Sequence, residues 1–426
     1  MKDKITFFLK LETSKNILWL FGDKVLRLGL GLIVGVLVAR HLGPELFGKW
    51  NYAIAFISLI SAFSTLGLDQ IVVKKLLQDK NEEHTLLGSA FFLRLIGSFI
   101  CTIIVFIFFS LIKNDSQLLI VATLTVFNLW FQSSDIIDLK NQSVLQSKKT
   151  VIVKNTSFVI ISTFRILFVY LNCSLITFSI LALVESILSA LGLILFYGIG
   201  NLKNWKINIE YCKSLLKQSY PLILSGIIIM MYMRIDQIMI GEILGNKSTG
   251  LYSISTRFTE LFYFIPSIFV TSFFPKLIEK YNNDRNEYYS NSIKLFKLLF
   301  IFSLTISIFF SFTADTIIDF LYGEKYQLAV NSLCISIWTG IFVFWGVAAG
   351  NILVIENLNK HNLNKSIHGL IINVILNIFL IPKFGINGAA IATLISQFYA
   401  SYLYYFFFKK TRHIFILQTK SILILK

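Results

Sequence analysis

Five arginines stand inside stretches of this sequence that are otherwise almost free of charge: Arg27, Arg94, Arg165, Arg234 and Arg257. Four carboxylates share such stretches, namely Asp69, Glu185, Asp236 and Glu260. A charged side chain near the centre of a bilayer costs at least ~2.5–3.5 kcal/mol, so it faces a cavity or a partner. Two kinds of chemistry suit these residues. The planar fork of arginine makes paired, charge-assisted hydrogen bonds to phosphate or carboxylate, so the five arginines are candidates for binding an anionic substrate. A carboxyl group in a cavity can exchange a proton or a small cation, so the four carboxylates are candidates for coupling to an ion gradient. Glu185 leads by its depth in its apolar run, and Asp236 follows. The competing reading is ion pairing that only fixes helix packing. Asp23 lies one turn before Arg27, and Arg257 and Glu260 share a helix face at i,i+3. Arg234 and Asp236, two residues apart, point to nearly opposite faces.

The elements that must position these residues are membrane-spanning helices. The chain has 426 residues, is 55% hydrophobic with 41 Phe, and only 15% charged, against roughly 25% charged in soluble domains. Twelve apolar segments, each long enough to cross a ~30 Å hydrocarbon core, lie near 17–39, 50–72, 86–112, 117–137, 151–171, 175–199, 219–241, 249–275, 292–312, 328–354, 366–381 and 388–408. The first does not read as a cleaved signal peptide, because Asp23, Lys24 and Arg27 interrupt it and no small-residue cleavage site follows.

The net charge of +16 is distributed as a membrane protein distributes it. With the amino terminus inside, 27 of the 39 Lys and Arg fall in cytoplasmic segments. Six lie on the opposite side (Arg40, Lys49, Lys113, Lys247, Lys325 and Lys383), and the remaining six, Lys24 and the five arginines, lie in helices. This alternation is the positive-inside pattern and places both termini in the cytoplasm. The basic loops also suit anionic lipid headgroups. No basic patch forms a nucleic-acid-binding module, so nucleic acid is not an expected partner. The four cysteines and five histidines are scattered without metal-ligand spacing, and neither a disulfide framework nor a metal site is expected. Cys173 falls in an outer turn and Cys212 in an inner loop.

The chain also repeats itself. "LGPELFGKW" (42–50) returns 202 residues later as "LGNKSTGLY" (244–252), both between apolar runs. At the same offset Phe56 meets Phe258, Leu59 meets Leu261 and Lys74 meets Lys276. Both turns join the first and second helices of a six-helix set. The expected architecture is therefore two parallel six-helix lobes, 1–205 and 206–426, with a cleft between them as the substrate path. Pro221 is expected to open the seventh helix and Pro266 to kink the eighth. Trp50, Trp130 and Tyr252 read as interfacial belt residues or as stacking surfaces for sugar rings. No phosphate loop exists, since "GNKS" (245–248) lacks the preceding glycine spacing, and no zinc or Ser/His/Asp arrangement appears. No cofactor is expected, and short outer loops disfavour an enzyme.

"ARHLGPELFGKWNYA" (39–53), "YPLILSGIIIMMYMRIDQIMIGEILGNKSTGLYSISTRFTELFYFIPSIFVTSFFPKL" (220–277), "LYGEKYQLA" (321–329) and "IPKFGINGAAIATLIS" (381–396) together resemble the polysaccharide-export flippases. The nearest type is the O-antigen (Wzx-type) flippase, within the superfamily shared with multidrug antiporters and lipid II flippases. The resemblance implies an all-α integral membrane fold of the MATE kind, in a bacterial inner membrane. It implies a flippase that carries an undecaprenyl-pyrophosphate-linked oligosaccharide, an O-antigen or similar repeat unit, from the cytoplasmic to the periplasmic leaflet by alternating access. A polysaccharide polymerase and a chain-length regulator are the implied protein partners, beside membrane lipids. Two alternatives are a small-molecule antiporter of the same superfamily and a membrane polymerase or glycosyltransferase. The second lacks an acidic nucleotide-sugar motif in the inner loops.

Overall fold

Helices in lipid invert the usual amphipathic pattern, and the third helix shows how. Between Glu83 and Leu111, Phe99, Ile103, Phe106 and Ile107 are exposed, while Arg94, Gly97, Ser98 and Cys101 are buried. The greasy face meets hydrocarbon and the small and polar face turns to the protein, as packing between membrane helices requires. The fold is seen in a computed structural model, which describes the backbone of residues 2–78, 82–113 and 115–423, and side chains from Trp19 onward except Leu20. Lys2, Lys4, Lys10, Lys15, Lys80 and Lys426, which enter the charge count, lie outside the described side chains.

The described residues are helical, with no strand among them. The first nine helices are α1 (Lys2–Thr65), α2 (Leu68–Gln78), α3 (Glu83–Leu111), α4 (Ser116–Gln132), α5 (Ile136–Ser143), α6 (Ser147–Tyr170), α7 (Leu175–Tyr197), α8 (Ile199–Leu202) and α9 (Ile209–Leu244). They are followed by α10 (Asn246–Leu261), α11 (Ile265–Asn283), α12 (Arg285–Tyr322), α13 (Ala329–Ser336), α14 (Thr339–Ile355), α15 (Lys360–Phe384), α16 (Ile386–Phe398), α17 (Tyr404–Phe407) and α18 (Arg412–Leu423). Among the described residues, ten helical segments are long and apolar enough to cross a membrane. The first, Phe21–Gln78, is broken at Gly43 and so holds two of the twelve expected segments. The twelfth is α16 running through a π turn, Tyr399–Leu403, into α17. The all-helical, multi-span architecture of the described residues matches the expected fold class.

By their own contacts the residues group into two compact units, Met1–Gly43 with Ala53–Met230, and Pro44–Tyr52 with Met231–Lys426. The core of the first is built on Leu68, Val72, Leu87 and Leu215, all fully buried. The core of the second surrounds Trp345, whose indole N–H donates to the Phe296 carbonyl at 3.1 Å. Asp284 caps α12, its carboxylate accepting from the N–H groups of Asn286 and Glu287, where a helix leaves donors unpaired.

The repeated turns share one backbone geometry. Gly43 (φ 71°, ψ 170°) and Gly245 (φ 84°, ψ 178°) take a conformation that only glycine adopts without strain. Within the second unit the two turns touch. A Cβ on Gly48 would collide with the Asn246 carbonyl, and one on Gly250 with the Pro44 carbonyl. The Tyr52 hydroxyl donates to Glu242 in the same unit. Gly250→Ala should therefore destabilise by about 1–3 kcal/mol, the usual cost of overpacking. Gly340→Ala, at a position with open space around it, should match or exceed wild type. Thermal unfolding of the two purified variants would show the difference, and equal melting temperatures would mean that the glycine contact carries no stability.

Several local expectations are corrected. Pro266 does not kink a continuous helix; it occupies the first turn of α11 after a break at 262–264, where its missing N–H costs nothing. Pro221 lies inside α9 rather than opening it. Cys212 lies in α9, not a loop, and is buried with its thiol toward the Ser89 carbonyl. Tyr252 is not an interfacial residue, since it is 1% exposed.

Candidate functional site

A spanning helix that breaks inside the membrane must re-satisfy its freed carbonyls, and this is tolerated only where protein covers the break or a cavity adjoins it. In the first unit α4 ends at Gln132, and a single 3-10 turn, Ser133–Asp135, leads into α5. The Ser98 hydroxyl donates to the freed Leu129 carbonyl at 3.0 Å. A cavity of about 180 Å³ opens at this break, lined among others by Arg27, Ser134, Asp135, Lys154 and Glu185. Arg27 pairs with Asp23 at 2.8 Å and lies over the Phe158 ring. Arg165 donates to Glu185 at 2.9 Å. Lys154 reaches Asp135 at 2.8 Å and Asp138 at 3.4 Å.

Arg94 is placed differently. It is 5% exposed and its guanidinium pairs with Asp69, a carboxylate that is 56% exposed. A second N–H of Arg94 points to the Gln132 carbonyl at the helix break. This arginine braces α3 against α2 and the broken α4.

The second unit repeats the device. The chain breaks between α10 and α11, and again between α13 and α14. A small cavity of about 60 Å³ sits there, lined among others by Asp236, Tyr252, Glu260, Tyr263, Ser336 and Thr393. It is large enough for a few waters. Ser134 and Ser336, 202 positions apart, each line the cavity of their own unit. Arg234 of α9 grips Glu260 of α10 with both arms of its fork, at 3.0 and 3.3 Å. Arg257 precedes Glu260 by three residues on α10, but the Glu260 carboxylate goes to Arg234.

Asp236 has no such cation. Its carboxylate, 6% exposed, accepts from the Tyr252 hydroxyl at 3.0 Å, from the Asn377 amide at 2.6 Å and from the Thr393 hydroxyl. Asn373 continues the network, its Oδ1 accepting from the Asn377 amide at 3.0 Å. The Asn377 Oδ1 is buried without a hydrogen-bond partner. A buried carboxylate held by neutral donors, with further amide and hydroxyl oxygens around it, offers the oxygen-rich setting that a small hard cation or a proton requires.

A family model described as "Polysaccharide biosynthesis protein" matches residues 37–331. The chain belongs to the polysaccharide biosynthesis protein family. This family assignment agrees with two curated relatives. The capsular polysaccharide biosynthesis protein CapF of Staphylococcus aureus is 23% identical over 403 residues, covering 93% of this chain and 99% of CapF. A putative O-antigen transporter of Shigella flexneri is 26% identical over 406 residues, covering 89% of this chain and 93% of the relative. Among solved structures, an inward-facing multidrug resistance MATE family transporter superimposes with a TM-score of 0.73 at 14% identity, covering 93% of this chain and 96% of the transporter. That likeness establishes a MATE-type fold. As a member of the polysaccharide biosynthesis family, the chain is a multi-pass membrane protein of the flippase-like transporter kind and not an enzyme.

In this family member, then, Arg27, Arg94, Arg165 and Arg234 are held by carboxylates. The structure brings Arg27 and Glu185, with Arg165 behind Glu185, to one cavity, and Asp236 and Glu260, with Arg234 behind Glu260, to another. It keeps Arg94 and Asp69 apart from both cavities. Sequence reading missed Lys154, which the charge count placed in an inner loop although α6 begins before it, at Ser147. Asp135 and Asp138, one turn apart in an apolar run, were the available sign of its partners. It also missed Asn373, Asn377 and Thr393. Two asparagines at i,i+4 in the apolar stretch of α15 mark a polar stripe that needs a partner.

Proposed function

We propose that this protein is a flippase that carries an undecaprenyl-pyrophosphate-linked oligosaccharide, the repeat unit of an O-antigen or similar surface polymer, from the cytoplasmic to the periplasmic leaflet of a bacterial inner membrane. One observation carries the reading: each unit holds a polar cavity at a broken spanning helix, and each cavity presents a carboxylate already gripped by an arginine. An arriving phosphate or acidic sugar competes with that carboxylate for the arginine fork, so binding and release differ by one exchange of partners. The matched family and the names of its relatives support the polymer. The paired serines and glycines at an offset of 202 support two repeated halves, 1–205 and 206–426, that alternate in access. In this reading both termini are cytoplasmic, Arg27, Arg165, Arg234 and Arg257 meet substrate, and a polymerase and a chain-length regulator receive the product.

With no phosphate loop, the energy comes from an ion gradient or from removal of the product. The reading assigns coupling to Asp236 before Glu185. Asp236 faces neutral donors and can acquire a counter-charge, whereas Glu185 already has Arg165. Asn373, Asn377 and Thr393 complete the cation's oxygen shell.

The test is genetic and chemical together. Deleting the gene should abolish surface polymer while lipid-linked repeat units accumulate in the membrane, out of reach of reagents applied to intact spheroplasts. Arg234→Ala should reproduce the defect with normal membrane levels, and Arg234→Lys should rescue it only partly, since a point charge cannot replace a two-armed grip. Normal display in the deletion strain, with new sensitivity to cationic drugs, would overturn the reading in favour of a small-molecule exporter.

A further inference from the structure

A third hollow lies away from both cavities. A groove of about 590 Å³ runs along α2 and α5, lined by Asp69, Gln70, Val73, Lys74, Leu77 and Leu139 among others. Its walls are carbon for the most part, from Val73, Leu77, Leu139 and the stems of the longer polar side chains. Leu77 is 64% exposed. Other described charges beside it are already paired. Asp69 is bound by Arg94, Lys140 by Glu83, and the Lys75 ammonium lies over the Tyr211 ring. Lys74 is exposed and makes no hydrogen bond or ion pair among the described residues.

An apolar trough with Lys74 unpaired at its rim, among the described residues, has the polarity of a single-chain lipid bearing a phosphate. A phospholipid with two chains would bury one and leave the other outside. From the charge alternation, α2 leads into a cytoplasmic loop, so the groove opens at the leaflet where a lipid-linked substrate begins its passage. We infer that the α2–α5 groove seats the isoprenoid chain of a polyisoprenyl phosphate-type carrier, with Lys74 on its phosphate. This rests on the flippase reading above and extends it from the sugar to the lipid.

The probe is a photoreactive polyisoprenyl phosphate, added to the full-length protein in nanodiscs and mapped by mass spectrometry of the labelled peptides. Labelling should fall on residues 70–78 and 139–142. Unlabelled polyisoprenyl phosphate should compete, and phosphatidylglycerol should not. Leu77→Trp, which fills the trough from an exposed position, should reduce labelling several-fold without lowering the melting temperature. Lys74→Gln should weaken competition by the phosphate about five-fold, the worth of one lysine at a membrane surface. Equal competition by phosphatidylglycerol would mean ordinary bilayer lipid and would overturn the inference. Selective labelling confined to other helices would also overturn it, while leaving the flippase reading intact. A strain whose polymer display is normal without the protein would instead remove the flippase reading itself.

Discussion

Asp236→Asn should sharply reduce gradient-driven transport and leave the protein folded in the membrane. The substitution keeps the shape of the side chain, and the Tyr252 and Thr393 hydroxyls can reorient to accept from the new amide. What disappears is the carboxylate of the second unit's cavity that is held by neutral donors alone, since Glu260 beside it is already paired with Arg234, and with it the reason for a cation or proton to bind there. The gradient-dependent rate should fall at least roughly tenfold, about 1.4 kcal/mol in barrier height, with substrate binding retained. Membrane vesicles with an imposed pH or Na⁺ gradient give the measurement. Glu185→Gln is the comparison, since Arg165 already satisfies Glu185 and its loss should weaken the unit 1 cavity without uncoupling transport. Unchanged gradient dependence in Asp236→Asn would remove this residue from the coupling step, and an effect confined to Glu185→Gln would restore Glu185 as the coupling group.

The second large effect concerns stability. Asp69→Ala should cost about 1–3 kcal/mol, because it takes the counter-charge from the buried Arg94 guanidinium, a loss that solvent around the half-exposed Asp69 side partly screens. The level of the protein in the membrane should then fall. The double variant Asp69→Ala, Arg94→Leu should recover most of the lost level, since removing both charges is cheaper than stranding the buried arginine. Quantitative blotting of membranes and thermal unfolding of the purified variants provide the readout. If the double variant is abundant and also displays polymer, Arg94 is a structural brace alone. If it is abundant and display is lost, Arg94 contacts substrate as the sequence reading expects.

Much of this architecture was legible in the residues. Long uncharged runs must be spanning helices because unpaired backbone groups are so costly in hydrocarbon. The twin glycine turns were visible because only glycine tolerates the backbone angles of Gly43 and Gly245. The charged residues worth naming were visible because each is expensive in an apolar run. Their partners were less legible. Arg234 joins Glu260 across 26 positions, and Asp236 meets Asn377 and Thr393 across 141 and 157. Helical periodicity predicts neighbours within a helix and says nothing of which helices lie side by side. Lys154 was hidden for another reason: a lysine near a helix end reads as a loop charge until its carboxylates are seen. The break at Ser133–Asp135 was hidden too, because no proline or glycine marks it, and Arg94 and Ser98 on another helix stabilise it.

Leaflet-to-leaflet transfer by the purified protein tests the central claim most directly. The protein would be reconstituted into liposomes containing a polyisoprenyl-pyrophosphate-linked oligosaccharide distributed over both leaflets. A membrane-impermeant glycosidase would then be added outside. With wild type, nearly all of the sugar should become cleavable as inner-leaflet molecules cross. With Arg234→Ala, or with empty liposomes, cleavage should stop once the outer leaflet is consumed. Cleavage that stops at the outer leaflet with active, correctly folded wild-type protein would contradict the account.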